Sequence, residues 1–180
     1  MRRPRNRLET VLPALMALSA CASATRTTTG GWVPGQSVPP VCTVLVLRAA
    51  DAVPKGAGQV GGSGASVTAA IVQSLSRRSY QVSISASSGL RAGLREAQLA
   101  GIAYVLRPVI TEWEPRGTEA PARRSSATLS LELYDSRSGQ LVSIATHRVV
   151  GSNVRTAHPR TFDFAPELAD RAVTRLMYGR

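Results

Sequence analysis

The chain reads as an α/β protein. A single mixed sheet of about five strands, a common sheet size, follows the order β-α-β-α-β-β-β-α, with helices packed on it and a flexible tether ahead of it. Three observations point there. Val41-Cys42-Thr43-Val44-Leu45-Val46-Leu47 is an unbroken apolar, β-branched run of the kind found in a strand covered on both faces. Apolar residues then recur first at helical and then at alternate spacing, twice over, which is the pattern of right-handed strand–helix–strand crossovers. Two alternating stretches separated by a short polar turn finally read as a hairpin.

Ahead of the first strand stand Arg2, Arg3, Arg5 and Arg7, then the run Val11 to Leu18, then Ser19-Ala20. That is the charged, apolar and small-residue order of an export signal. The run is shorter than the about 20 residues that cross a bilayer. Leu18-Ser19-Ala20-Cys21 resembles the lipobox of bacterial lipoproteins. The resemblance implies cleavage before Cys21, acylation of its sulfur, and membrane attachment without a transmembrane helix, since two or three acyl chains hold a protein stably. Ala22 instead of aspartate implies, by the same resemblance, the outer membrane. Residues 22–40 are small, Thr-rich, then Gly- and Pro-rich, with Arg26 their single charge, and such composition cannot bury enough apolar surface to order itself. The expected division is therefore a signal over 1–20, a lipidated tether over 21–40 with Trp32 its one conspicuous residue, and one domain over 41–180.

Within the domain, residues 49–63 read as loop. Val67, Ala70, Ile71, Ser74 and Leu75 mark a helix, closed by Arg77-Arg78 where cations suit the dipole. Tyr80, Val82 and Ile84 alternate with Gln81, Ser83 and Ser85, a strand with one wet face. Leu90, Leu94 and Ala97 mark a second helix ending near Gly101. Ile102 to Leu106 begins a third strand running on towards Trp113, and Pro108, which cannot donate a ladder bond, puts that half at an edge or a bulge. Leu129, Leu131 and Leu133 form one arm of the hairpin. The turn is Asp135 to Gly139, and the other arm runs from Gln140 to about Val150. A last helix opens at Pro166, with Glu167 and Asp170 early and Arg171 and Arg175 late.

Without the signal, 18 basic residues stand against 10 acidic ones, a balance of +8. Of the 22 basic residues all but Lys55 are arginine. On an exported protein this charge faces lipid phosphate or an acidic envelope polymer rather than nucleic acid. Cys42 has no partner once Cys21 is acylated, and burial as a small hydrophobe answers that.

The catalytic motifs tested do not hold. Gly56-Ala57-Gly58-Gln59-Val60-Gly61 spells G-x-G-x-x-G, but seven residues separate it from Leu47-Arg48 and no acid closes the second strand, so it reads as a flexible connection and no nucleotide is expected. A small anion at the following helix start is possible in principle. His147 and His158 lack neighbouring ligands at metal spacing, and there is no G-x-S-x-G nucleophile turn. Glu112 and Glu114, two apart on a strand, share a face and are the one pair that suits hydrolysis.

The lipobox, tether, apolar first strand and Gly-rich loop are followed by Tyr104-Val105-Leu106-Arg107-Pro108, Trp113-Glu114, Leu133-Tyr134-Asp135, Gly139 and His158-Pro159. Together they resemble an uncharacterised family of short proteobacterial envelope lipoproteins over nearly the whole mature length. Where that family has Trp-Glu-Asp-Arg, Pro115 replaces the aspartate and Arg116 matches the arginine. The architecture is also similar to lipoprotein activators of peptidoglycan synthases and to the amino-terminal domain of the Tol translocation protein. The resemblance implies no assigned activity. The expectation is a non-enzymatic, lipid-anchored accessory protein without cofactor or metal that binds another envelope protein through Trp113, Glu114, Arg116 and His158. The alternatives are an anionic polymer or lipid headgroup bound by arginines such as Arg123 and Arg124, and a periplasmic hydrolase.

Overall fold

A computed structural model of the chain describes residues 25–32 as backbone, and residues 42–54, 58, 60–114, 126–150 and 164–178 with their side chains. Cys21, Arg116, Arg123, Arg124 and His158 lie outside the described residues, as does the signal.

The strands are β1 (Thr25–Trp32), β2 (Thr43–Val46), β3 (Gln81–Ile84), β4 (Tyr104–Glu114), β5 (Ser126–Asp135) and β6 (Leu141–Val150). The helices are α1 (Ser63–Ser76), α2 (Leu90–Leu99) and α3 (Ala165–Tyr178). All strands join one sheet in the order β1-β6-β5-β4-β2-β3. β2 is parallel to β3 and β4, and the β4-β5-β6-β1 half is antiparallel. The expected mixed sheet with a parallel core and an added hairpin is therefore present. It has one strand more than expected, because Thr25 to Trp32, inside the stretch read as tether, pairs residue for residue with β6. Local composition had argued against order there, and the long open edge of β6 overrides it by offering the ladder bonds the segment cannot make alone.

β2 is buried on both faces, as its unbroken apolar run requires. Val44 and Val46 enter the main core, and Leu45 and Leu47 enter a smaller one with Ala97, Ile102 and Val105. The main core lies between the sheet and the pair α1 and α3. Leu129, Leu131 and Leu133 of β5 meet Leu168, Ala169, Ala172 and Leu176 of α3 there, and each fully buried leucine contributes about 2 kcal/mol. All five residues that marked the first helix in the sequence are buried in α1. A carboxylate joins the two helices: Asp170 accepts from Ser74, Arg77 and Arg78, and Arg78 also donates to the Ser74 carbonyl at the end of α1.

The opposite face is covered unevenly. α2 packs over β2, the start of β4 and Tyr134, and its close approach is set by Gly93, where a Cβ would meet Leu47 Cδ2 at 2.3 Å. Over the rest of β4, β5 and β6 no described element lies on that face, so it is polar. β3 departs from the alternation read in the sequence, since Ser85 is buried and Ile84 is half exposed. Ser85 bonds to Glu96 of α2, whereas Ile84 sits on the outermost strand.

Candidate functional site

The expected partner patch centres on the end of β4, and a single inserted residue decides its layout. From Tyr104 to Ile110 each residue of β4 faces one of β5, Ile110 opposite Leu129, but the next pair is Glu112 with Thr128. Thr111 has no opposite number and forms a bulge. Strict alternation from Leu106 would have turned Glu112 and Glu114 inward and Trp113 outward. The bulge reverses this. Trp113 faces the main core with only 2 % of its surface exposed, so it packs the sheet against α3's side of the molecule and offers no partner an aromatic surface. That removes Trp113 from the expected site. Pro108 lies where β4 has run past the end of β2, which pairs only as far as Leu106, so the edge-or-bulge placement read from this proline holds on both counts.

Glu112 stands on the polar face and is fully engaged. Arg148 of β6 reaches across β5 and donates from Nε to Oε2 at 2.8 Å and from Nη2 to Oε1 at 2.9 Å. Ser126 and Thr128 of β5 each add a hydroxyl bond of 2.7 Å. The hydrogen bonds from Arg148 outweigh the cost of partial burial and, with the two hydroxyls, hold the Glu112 carboxyl at about 2. A carboxylate held this way carries no proton to give near neutrality and has its lone pairs taken. It is neither the acid of a hydrolase nor a metal ligand, and the paired-acid reading loses one of its two members. Glu114 keeps its place on the same face, half buried, opposite Ser126.

Farther along that face the motifs cited for the family resemblance meet as neighbours. Arg107 is the register partner of Glu132 and donates to its Oε2 at 3.3 Å, and Tyr134 donates to the same oxygen at 2.8 Å. Ser130 and Thr146 share a bond of 3.1 Å on the next strand pair. Asp135 closes the hairpin: its carboxylate accepts the Ser138 backbone N–H and hydroxyl at 2.7 Å each, and the Gly139 N–H bonds to its carbonyl. The Ser138 N–H is the chief reason its carboxyl lies below the usual range. Gly139 takes φ +69°, which the turn needs. Tyr-Val-Leu-Arg-Pro and Leu-Tyr-Asp thus describe a laced pair of strands and its turn, not a reactive centre.

The glycine loop is more built than its composition suggests. Gly62 takes φ +82° at the cap of α1, and at Gly64 a Cβ would lie 2.2 Å from the Ala49 carbonyl oxygen. The Asp51 carboxylate accepts the Gly64 N–H at 2.7 Å and the Gly62 N–H at 3.1 Å, and those bonds, that of Gly64 first, lower its pKa. The protein therefore supplies its own anion at the start of α1, where a bound phosphate would otherwise sit.

His147 is buried on the core side of β6. Among the described residues no three His, Cys, Asp or Glu side chains gather as a metal site. Cys42 is half buried against the main core, and burial raises its thiol pKa. Among the described residues no helix is long and apolar enough to cross a membrane. The partners of Glu112 were missed in the sequence, because Arg148 lies 36 positions away and only the strand register brings the two together.

No protein-family model and no curated protein matches the chain. Solved structures do. A PelC dodecamer from Paraburkholderia phytofirmans matches with a TM-score of 0.65 at 19% identity, over 85% of this chain and 98% of that one. Protein XCC0632 from Xanthomonas campestris, of the DUF330 family, matches with 0.52 at 12% identity, over 82% and 90%. The lipoprotein GNA1162 from Neisseria meningitidis matches with 0.50 at 15% identity, over 74% and 99%. At these identities the likeness is one of fold. The chain shares its architecture with a lipoprotein and with a protein from a family of unknown function.

Proposed function

We propose that the protein is a lipid-anchored accessory protein of the bacterial envelope, held at the outer membrane through Cys21, that binds another envelope component and catalyses no reaction. The observation that carries this is Leu18-Ser19-Ala20-Cys21 behind a charged and apolar leader, which gives the protein its address. The fold supports it, being shared with a protein described as a lipoprotein. The site chemistry supports it as well, since the one carboxylate pair that suited hydrolysis has Glu112 locked into an ion pair. With Trp113 inside, the binding surface is an exposed part of the sheet face or of the helices. Because the same fold occurs in a protein solved as a dodecamer, further copies of this chain are among the components it can bind. Labelling cells with a palmitate analogue should mark the protein and leave a Cys21→Ala form unmarked. Crosslinking in the cell should then yield adducts that depend on the anchor. A protein that takes no label and fractionates with the cytosol would end this reading.

A second reading is binding of an anionic polymer or headgroup by arginine. It is favoured by Arg91 and Arg95, which stand one turn apart on the exposed side of α2. Such binding weakens steeply as salt rises towards 1 M, where the screening length falls to about 3 Å. A packed protein interface does not.

A further inference from the structure

We infer that the lipid anchor moors the domain directly against the bilayer, with the rung Glu114–Ser126–Val150–Thr25 facing the lipid and the Asp135–Gln140 hairpin turn pointing away from it. This inference rests on the lipidation of Cys21 proposed above. Four residue steps separate Cys21 from Thr25, the first residue of β1, and even fully extended they span at most about 14 Å. No tether of useful reach fits between a sulfur fixed in the bilayer interface and a residue fixed in the sheet.

Register then sets the orientation. Thr25 is the partner of Val150, Val150 of Ser126, and Ser126 of Glu114, so one line across four strands lies level with the start of β1. From that line β4, β5 and β6 run to the other end of the sheet, with the bulge at Thr111 and a register shift between Leu133 and Tyr134 on the way, and β1 accompanies them as far as Ser143. β5 travels nine residue steps from Ser126 to Asp135, about 30 Å at strand rise. β4 and β6 run antiparallel to β5, which puts Tyr104 and Leu141 beside the distal end. At that end the hairpin turn, the end of α2 with Leu99 at 91 % exposure, and a cavity of about 700 Å³ lined by Gln98, Gly101, Ala103 and Arg137 open away from the membrane. The near end, where residues 115–125 join β4 to β5 and the chain leaves β6 after Val150, is the end held at the phospholipid. Because β1 is held to β6 over eight consecutive register positions, Thr25 moves with the sheet, and the near end stays within the reach of those four residue steps.

The test uses the full lipidated protein in vesicles of phosphatidylethanolamine and phosphatidylglycerol containing a lipid with a nitroxide on its headgroup. A bimane fluorophore is placed on Val150→Cys, Glu114→Cys or Ser138→Cys, each with Cys42→Ala, and the mass of the acylated amino terminus is measured on the same sample. The expected result is several-fold stronger quenching at positions 150 and 114 than at 138. A Gly/Ser linker of about ten residues placed between Ala24 and Thr25, which adds about 17 Å of average reach, should erase that difference. Two labelled near-end positions guard against one substitution disturbing β6. Equal quenching at all three positions in protein shown to carry the lipid overturns the mooring and leaves the anchor intact. Protein that lacks the lipid overturns both.

Discussion

Glu112 shows how one residue can be chemically suggestive in a sequence and structural in the fold. Its carboxyl pKa lies at about 2, below its ordinary 4.5, so its stabilising contribution is complete above that ordinary value and is lost as the pH falls through 2. Arg148 is half exposed, and solvent screening reduces the pair to about 1 kcal/mol. A double-mutant cycle with Glu112→Gln and Arg148→Ala, followed by urea unfolding at neutral pH, should return a coupling of that size, and the coupling should vanish near pH 2. Trp113 makes the opposite case. Trp113→Ala should cost about 3–5 kcal/mol in the same measurement, as loss of a large buried ring does. A change under about 0.5 kcal/mol, typical of surface positions, would put the ring back on the surface.

The elements of the domain were legible where side chains repeat and illegible where register decides. α1 and α2, the β2 run buried on both faces and the hairpin all announced themselves through periodicity, because burial of an apolar face is a local property of spacing. The bulge at Thr111 did not. Nothing in Val109-Ile110-Thr111-Glu112-Trp113 signals that a residue is skipped, and the skip alone turns the tryptophan in and the glutamates out. Deleting Thr111 should therefore be tolerated, since Ile110 and Glu112 already face the consecutive residues Leu129 and Thr128, so the closed ladder keeps Trp113 inside and Glu112 outside. A retained cooperative thermal transition is the expected outcome, and its loss would mean that the bulge does more than set which side each residue faces. Gly64 is a second such position. It sits against the Ala49 carbonyl, and Gly64→Ala should cost about 1–3 kcal/mol as overpacking that backbone cannot relieve. Gly61→Ala, which meets nothing within 4 Å, is its control.

For the whole molecule, the strand count departs from expectation at the boundary between tether and domain, where β1 occupies part of the stretch read as tether. Residues 22–40 carry too little apolar surface to fold by themselves, and no local rule could announce that β6, more than a hundred residues downstream, needs a neighbour. Removing residues 22–32 should strip hydrogen-exchange protection from the β6 amides that face β1 while sparing those that face β5. It should also make the protein self-associate through the uncovered edge. Retained protection on both sides of β6 would mean that β1 contributes nothing to the sheet.

The distance in sequence between Thr25 and Val150, 150 − 25 = 125 positions, also fixes an order of events during biogenesis. A strand cannot pair with a partner that has not yet been delivered to it. On the proposed lipidation of Cys21, the acylating and cleaving enzymes have the interval before β6 arrives in which to work. Once the edge of β6 is sealed, β1 is drawn into the sheet, and on the same proposal a missed modification has little chance of being repaired.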